Sequence, residues 1–498
     1  MFESAELGHK IDKATWEKEV PALREALLNA QGELLEKKHN AVLVLIAGVE
    51  GAGKGETVNL LNEWMDPRHI RTQAFGPMSA EEQLQPHMLR FWRALPPKGR
   101  IGIFFGSWYT QPIVNRTFGT ISKARLEEHI EEIRHFERML SQEGVLLVKF
   151  WFHLSKKAQK KRMKELESDP DTSWRVTKHD WDFFEYYDKF YKVCDHVLRE
   201  TSTGEAPWIV VEGLDHRYRS LTVGKLLLAG IKDRLAAEEA PKKAKGRNVS
   251  HAAPLLQPAI DGKNVLGALD FKKTISKKKY ENDLEKWQGT LNKLSRHPKF
   301  RKHGCVCVFE GQDAAGKGGA IRRVTGAVDA RFYNVIPVAA PTEEERAQPY
   351  LWRFWRHLPM PGHFTIFDRS YYGRVLVERV EGFCKEDDWM RAYAEINDFE
   401  EQMVESGIVL NKFWLAISAD EQLRRFKERE KTGYKKFKIT AEDWRNREKW
   451  PQYERAVCDM VDRTSTDLAP WTLVPANDKY SARLQILKTI CERIEGAL

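Results

Sequence analysis

The sequence predicts an α/β fold of two tandem domains, each a parallel sheet held between helical layers. Three observations carry this expectation. Short apolar runs alternate with helical patterns, which implies parallel strands joined by helical crossovers. A glycine-rich loop, Gly311-Gln312-Asp313-Ala314-Ala315-Gly316-Lys317-Gly318, stands between one apolar run and the next helical pattern. The whole arrangement then occurs twice, because Gly48-Val49-Glu50-Gly51-Ala52-Gly53-Lys54-Gly55 follows the apolar run Val42–Ala47 in the same way.

The two lysines lie 263 positions apart (317 − 54), and that offset persists far downstream. Arg90-Phe91-Trp92-Arg93 matches Arg353-Phe354-Trp355-Arg356, Asp180-Trp181 matches Asp443-Trp444, and Ala206-Pro207-Trp208 matches Ala469-Pro470-Trp471. A period this long denotes duplicated domains, not a solenoid. The expected boundaries are 1–235 for the first module, 236–262 for a Pro- and Lys-containing linker, and 263–498 for the second module.

In the second module the predicted strands are Cys305–Glu310, Tyr333–Ala339, Phe364–Asp368, Ile408–Ile417 and Trp471–Pro475. Helices are predicted over Lys317–Val328, Glu343–His357, Asp387–Glu405 and Ala419–Glu430. Thr342 with Glu345, and Ser79 with Glu82, have the spacing of capping boxes. Ligands of such a sheet belong at the C-terminal ends of its strands.

With 498 residues, 42% of them hydrophobic and 31% charged, the chain is expected to be an ordered soluble protein of more than one core. Its six cysteines include no Cys-x-x-Cys pair, which argues against a zinc site or disulfide framework. No run of eighteen apolar residues and no basic-then-apolar leader occurs, so a cytoplasmic protein without a membrane span is expected. The net charge of +9 points to an anionic partner.

The Gly-x-x-x-x-Gly-Lys spacing is that of a phosphate-binding loop. Gly311 and Gly316 let the amides of the loop turn inward, Ala314, Ala315 and Gly318 contribute further amides, and Lys317 adds a full charge at a helix N-terminus. Where a metal-binding Ser or Thr usually follows the lysine stands Gly318. Asp313 in the loop and Asp368 at a strand end are the candidate metal ligands that replace it, and Arg369 is a candidate phosphate clamp. Arg424, Arg425 and Lys438 belong to a basic stretch of lid type, with Gly433 as its hinge. The first module keeps Glu50, Gly53 and Lys54 but has Phe105 and Gly106 at the Asp368 and Arg369 positions, so it is expected to be degenerate.

Taken together, the loop, Thr342-Glu343-Glu344-Glu345 leading to Trp352-Arg353-Phe354-Trp355, the Asp368-Arg369-Ser370-x-Tyr372 strand end and Ala476-Asn477-Asp478-Lys479 resemble the type 2 polyphosphate kinases. The tandem form resembles the two-module members that phosphorylate AMP. The resemblance implies a P-loop kinase-like three-layer α/β/α fold with a helical lid. It implies an enzyme that moves a terminal phosphoryl group from inorganic polyphosphate to AMP, with ADP or GDP as alternative acceptors. It also implies Mg2+ dependence, with Mn2+ as the alternative ion. Asp313, Lys317, Asp368 and Arg369 take the catalytic roles on this reading. Polyphosphate and AMP or ADP are the expected partners, without nucleic acid, in a homo-oligomer such as a dimer. An ATP-dependent kinase and a nucleic-acid-binding P-loop protein are the rival readings.

Overall fold

A computed structural model describes residues 2–239, 264–432, 439 and 441–498. The chain divides into two compact units. Among the described residues the first comprises 2–78, 90–239 and 342–352, and the second 79–89, 264–341 and 353–498. From residue 240 onward the expected linker lies outside the described residues.

The first unit contains β1 (Ala41–Gly48), β2 (Ile70–Ala74), β3 (Ile101–Phe105), β4 (Val145–His153) and β5 (Trp208–Glu212). The second contains β6 (Gly304–Gly311), β7 (Tyr333–Pro337), β8 (Phe364–Asp368), β9 (Ile408–Ala416) and β10 (Trp471–Pro475). Each set forms one five-stranded sheet, ordered β2-β3-β1-β4-β5 and β10-β9-β6-β8-β7, and the paired strands run parallel. Numbered within its own unit, each sheet has the same order. The fold class is therefore the expected one, two parallel α/β sheets of duplicated topology.

Burial on both faces explains why the central strands read as continuous apolar runs. Cys305, Val306, Cys307, Val308 and Phe309 of β6 are all inaccessible. The cysteines fill this core as free thiols. One side of the sheet packs on Ile321 and Val324 of helix Lys317–Thr325 and on Ile486 and Ile490 of helix Lys479–Ala497.

Each sheet also contains a buried lysine. Lys412, in the middle of β9, is ion-paired with Glu400 at 2.6 Å, and its Nζ also donates to the Tyr372 hydroxyl and the Thr464 carbonyl. Lys149 repeats the pattern with Glu137, Tyr109 and Thr201. Burial pushes the Glu400 carboxyl above its usual range and the Lys412 amine below its own, while their mutual attraction opposes both shifts.

One predicted element is not continuous. The helix expected over Glu343–His357 is two single turns, Glu343–Arg346 and Trp352–Trp355. Pro349 lacks an amide proton and disfavours helical geometry at Gln348, so the helix cannot pass through. The capping box of Thr342 and Glu345 does open the first turn. Among the described residues, no helix is long and apolar enough to cross a membrane.

Candidate active site

The strand register places the functional ends together. Asp368 of β8 pairs with Phe309 of β6, and Gly311 at the end of β6 pairs with Leu415 of β9. Gly311 adopts φ +148°, and a Cβ there would lie 2.5 Å from the Leu415 carbonyl oxygen, so only glycine fits. Gly316, at φ +110°, turns the chain into helix Lys317–Thr325. Lys317 Nζ folds back over the loop and donates to the Gly311 carbonyl at 2.6 Å.

Asp313 faces a cavity of about 100 Å³ that Glu310, Lys317, Arg369, Trp414 and Tyr453 also line. Its Oδ2 accepts a hydrogen bond from Asn446 Nδ2 at 2.9 Å, and its Oδ1 lies 3.5 Å from Arg369 Nη2. Arg369 sits in the left-handed region at φ 64°, as does Ala314 in the loop. Non-glycine residues adopt this conformation at a cost of about 1 kcal/mol or more, and such strain concentrates at functional sites. Partial desolvation of the half-exposed Arg369 side chain works against its charge, but the surrounding Asp313, Glu310, Glu442 and Asp368 outweigh it and raise the guanidinium above its ordinary value.

Glu310 was not apparent as a site residue in the sequence. It is the polar penultimate position of an otherwise apolar strand, accepts a hydrogen bond from Ser370 Oγ at 2.8 Å, and lies next to Lys317. Burial raises its carboxyl above the ordinary range, against the Lys317 charge and the Ser370 hydroxyl. Asn446, Glu442 and Tyr453 also reach the cavity unforeseen, from helices Ala441–Glu448 and Trp450–Thr464. Their only sequence signal is the nearby Asp180-Trp181/Asp443-Trp444 match.

The structure places the two arginines of the expected lid differently. Arg425 is buried beneath the phosphate loop: Nη1 donates to the carbonyls of Ala314 and Ala315 at 2.9 and 3.1 Å, and Nη2 to those of Ala476 and Asn477 at 2.7 and 2.9 Å. With Nε on Glu421 as well, the guanidinium is consumed by the scaffold. Arg424 is exposed on the same helix, Ala419–Lys431, and pairs with Glu421 and Glu428. Lys438 and Gly433 lie outside the described residues.

Asp368, at the end of β8, is half-buried and contributes to the field around Arg369 without lining the cavity that Asp313 lines. Among the described residues, no group of three or more His, Cys, Asp or Glu side chains could enclose a metal ion. Asp313 and Asp368 are hard oxygen donors, of the kind that a divalent cation takes together with water and substrate phosphates.

In the first unit, Lys54 Nζ donates to the Gly48 carbonyl and to Glu50 Oε1, each at 2.8 Å. Phe105 occupies the strand-end position, 5.9 Å from Lys54 Nζ to ring centre, and Gly106 holds the left-handed turn at φ +80°. Here Arg219, from helix His216–Glu239, donates to the carbonyls of Ala52 and Gly213. Both loops are therefore braced by a guanidinium, but from different helices.

A glycine-rich loop that opens a helix, its lysine, and an arginine and carboxylates at the neighbouring strand ends are the arrangement of a P-loop kinase-like fold. The family model for polyphosphate kinase 2 matches residues 10–239 and again 274–498, and the chain belongs to that family. It is 59% identical over 497 residues to the polyphosphate:AMP phosphotransferase of Pseudomonas aeruginosa, covering 100% of this chain and 99% of that one. It is 36% identical to the polyphosphate:AMP phosphotransferase of Acinetobacter johnsonii, over 95% of this chain and 94% of that protein. A crystal structure described as a putative polyphosphate kinase 2 from Pseudomonas aeruginosa superposes with a TM-score of 0.88 at 55% identity, over 100% of this chain and 99% of that one.

Proposed function

We propose that this protein transfers the terminal phosphoryl group of inorganic polyphosphate to AMP, forming ADP, and that the second unit performs the chemistry. The observation that carries the assignment is the convergence of Lys317, Asp313 and Arg369 on one cavity at the second loop, with no counterpart to Asp368 or Arg369 at the first. The full-length relatives named for this reaction support the choice of AMP.

The attacking oxygen of AMP is an anionic phosphate oxygen, so the step needs positioning and charge neutralisation more than a general base. Amides of residues 314–318 and the Lys317 ammonium hold donor phosphates at the helix N-terminus. Arg369, fixed by its own backbone turn and by Asp313, meets the equatorial oxygens of the transferring group. Asp313 and Asp368 would hold Mg2+, which when bound neutralises phosphate charge. The γ-type phosphoryl leaves the polyphosphate chain as its terminal P–O bond breaks, and a new P–O bond forms to AMP.

The test is ADP formation from AMP, polyphosphate and magnesium without ATP, in wild type, Lys54→Ala and Lys317→Ala. The expected result is activity in wild type and Lys54→Ala, with a loss of about 100-fold or more in Lys317→Ala. Wild type that requires ATP would overturn the donor assignment. Equal losses in both variants would overturn the assignment of chemistry to the second unit alone.

A further inference from the structure

The cations of the second site share their cavity with an acid able to neutralise them. An arginine and a carboxylate within reach of each other close into a forked pair at about 2.7–2.9 Å. Arg369 and Asp313 do not: Nη2 and Oδ1 stand 3.5 Å apart, a single long contact that orients the guanidinium without taking up its fork. Among the described residues no ion pair joins Asp313 to Lys317, whose ammonium donates to the Gly311 carbonyl instead. The other oxygen of the acid is held elsewhere. Asn446 Nδ2 donates to Asp313 Oδ2 at 2.9 Å. An ionised carboxylate only accepts, so the NH2 end of the amide must face it, and the Tyr453 hydroxyl donates to the opposite end, Asn446 Oδ1, at 3.3 Å. The helix that carries Asn446, Ala441–Glu448, is fastened on two sides. Arg445 Nε and Lys449 Nζ meet the buried Glu381 carboxylate at 3.2 and 2.8 Å, and Arg447 Nη1 donates to the Ala419 carbonyl and to Gln422 Oε1.

The first unit has the same positions without this restraint. At the offset of 263 (446 − 183), Phe183 and Phe190 replace Asn446 and Tyr453, and their rings meet edge-on at 5.1 Å. Phe118 and Tyr186 replace Glu381 and Lys449, and meet at 4.9 Å. The same pairs touch in both units, with aromatic contact in place of hydrogen bonds and charge. Among the described residues no side-chain amide reaches the Glu50 carboxylate, which stands at the Asp313 position. Glu50, one methylene longer and unrestrained, closes on the loop lysine, Lys54, at 2.8 Å. The restraint and the arginine are missing together, since Gly106 replaces Arg369.

We propose that Asn446 is a positioning residue for phosphoryl transfer: by holding Asp313 Oδ2 it keeps the loop acid from closing on Arg369 and Lys317, so that both cations stay available to a substrate phosphate. Tyr453 fixes which end of the amide faces the acid. Without Asn446 the carboxylate is free to rotate onto the guanidinium and consume its fork, as the scaffold consumes that of Arg425. The proposal rests on the phosphoryl-transfer reading, from which it takes the identity of the anion.

The experiment is titration calorimetry of the full chain with inorganic polyphosphate, at fixed ionic strength and without AMP or divalent ions. Asn446→Ala is expected to bind polyphosphate about ten-fold more weakly than wild type, the scale of a lost hydrogen bond to a charged group. On an Asp313→Ala background the same change should alter affinity by less than about two-fold, because no carboxylate is left to restrain. A merely structural role for Asn446 would weaken binding in both backgrounds alike. Tyr453→Phe, which frees the amide to turn, should weaken binding about three-fold. Equal affinity of Asn446→Ala and wild type, or the same fold-loss with and without Asp313, would overturn the proposal. If Asn446→Ala fails to fold, Tyr453→Phe decides the matter, and affinity equal to wild type in that variant would overturn it. ADP formation by wild type, measured separately, tests the transfer reading, and the binding comparison tests this one.

Discussion

Arg425 donates to the carbonyl oxygen of Ala314 at 2.9 Å, so the guanidinium holds the phosphate loop from below. Ala314 is the loop residue in the left-handed conformation. The clamp therefore secures the most strained part of the loop to the segment Ala476–Asn477, which follows β10.

Removing that clamp is expected to affect both stability and turnover. Arg425→Ala leaves two carbonyls of the loop, Ala314 and Ala315, and two beyond β10, Ala476 and Asn477, without this donor. Thermal unfolding should reveal a loss of about 3 kcal/mol, and ADP formation should fall by about 100-fold. The matching Arg162, more than one-third exposed and only 3.8 Å from Glu56, should lose less than about 1 kcal/mol on the same change.

Arg369→Gly separates activity from stability. Glycine adopts the φ of 64° found at Arg369 without steric strain, as Gly106 does in the first unit. Its thermal midpoint should match or exceed that of wild type, while turnover drops by about 100-fold for want of the clamp. A large fall in the midpoint would mean that Arg369 is a structural residue.

The Glu421 carboxylate, bonded first by Arg424 and then by Arg425, is held below its ordinary value of 4.5 despite partial burial. A depressed folded value means that its contribution to stability is present above the unfolded pKa and is lost as pH falls through the folded one. The difference in unfolding midpoint between wild type and Glu421→Gln should therefore be constant above about pH 5.5. It should shrink as pH falls below about 4.5, in a pH series of thermal melts.

In the sheet core, Lys412→Met alone would strand Glu400, with an expected loss of about 3–5 kcal/mol by denaturant titration. The double change Lys412→Met with Glu400→Leu should recover much of that loss, because an apolar pair avoids desolvating two charges.

Chelation by EDTA should abolish transfer and magnesium should restore it, with Asp313→Asn shifting the magnesium requirement upward. Polyphosphate KM should rise steeply with salt while the AMP KM moves less, since the polyanion binds through many screened contacts.

The sequence by itself determined the duplication, the parallel α/β class, both loops and the inequality between the modules. These are local or periodic signals: glycine spacing, apolar runs, and a polar pair replaced by Phe105 and Gly106. Only the tertiary structure decided which basic residues are exposed and which are built into the scaffold. Arg424 and Arg425 are neighbours in sequence, yet helical geometry points one outward and the other beneath the loop. Glu310, Asn446 and Tyr453 meet at one cavity from one strand and two helices, a convergence that no short window of sequence encodes. The pairing of Lys412 with Glu400 was hidden for the same reason. A lysine in a strand reads as exposed until the sheet closes around it and its partner arrives from another element.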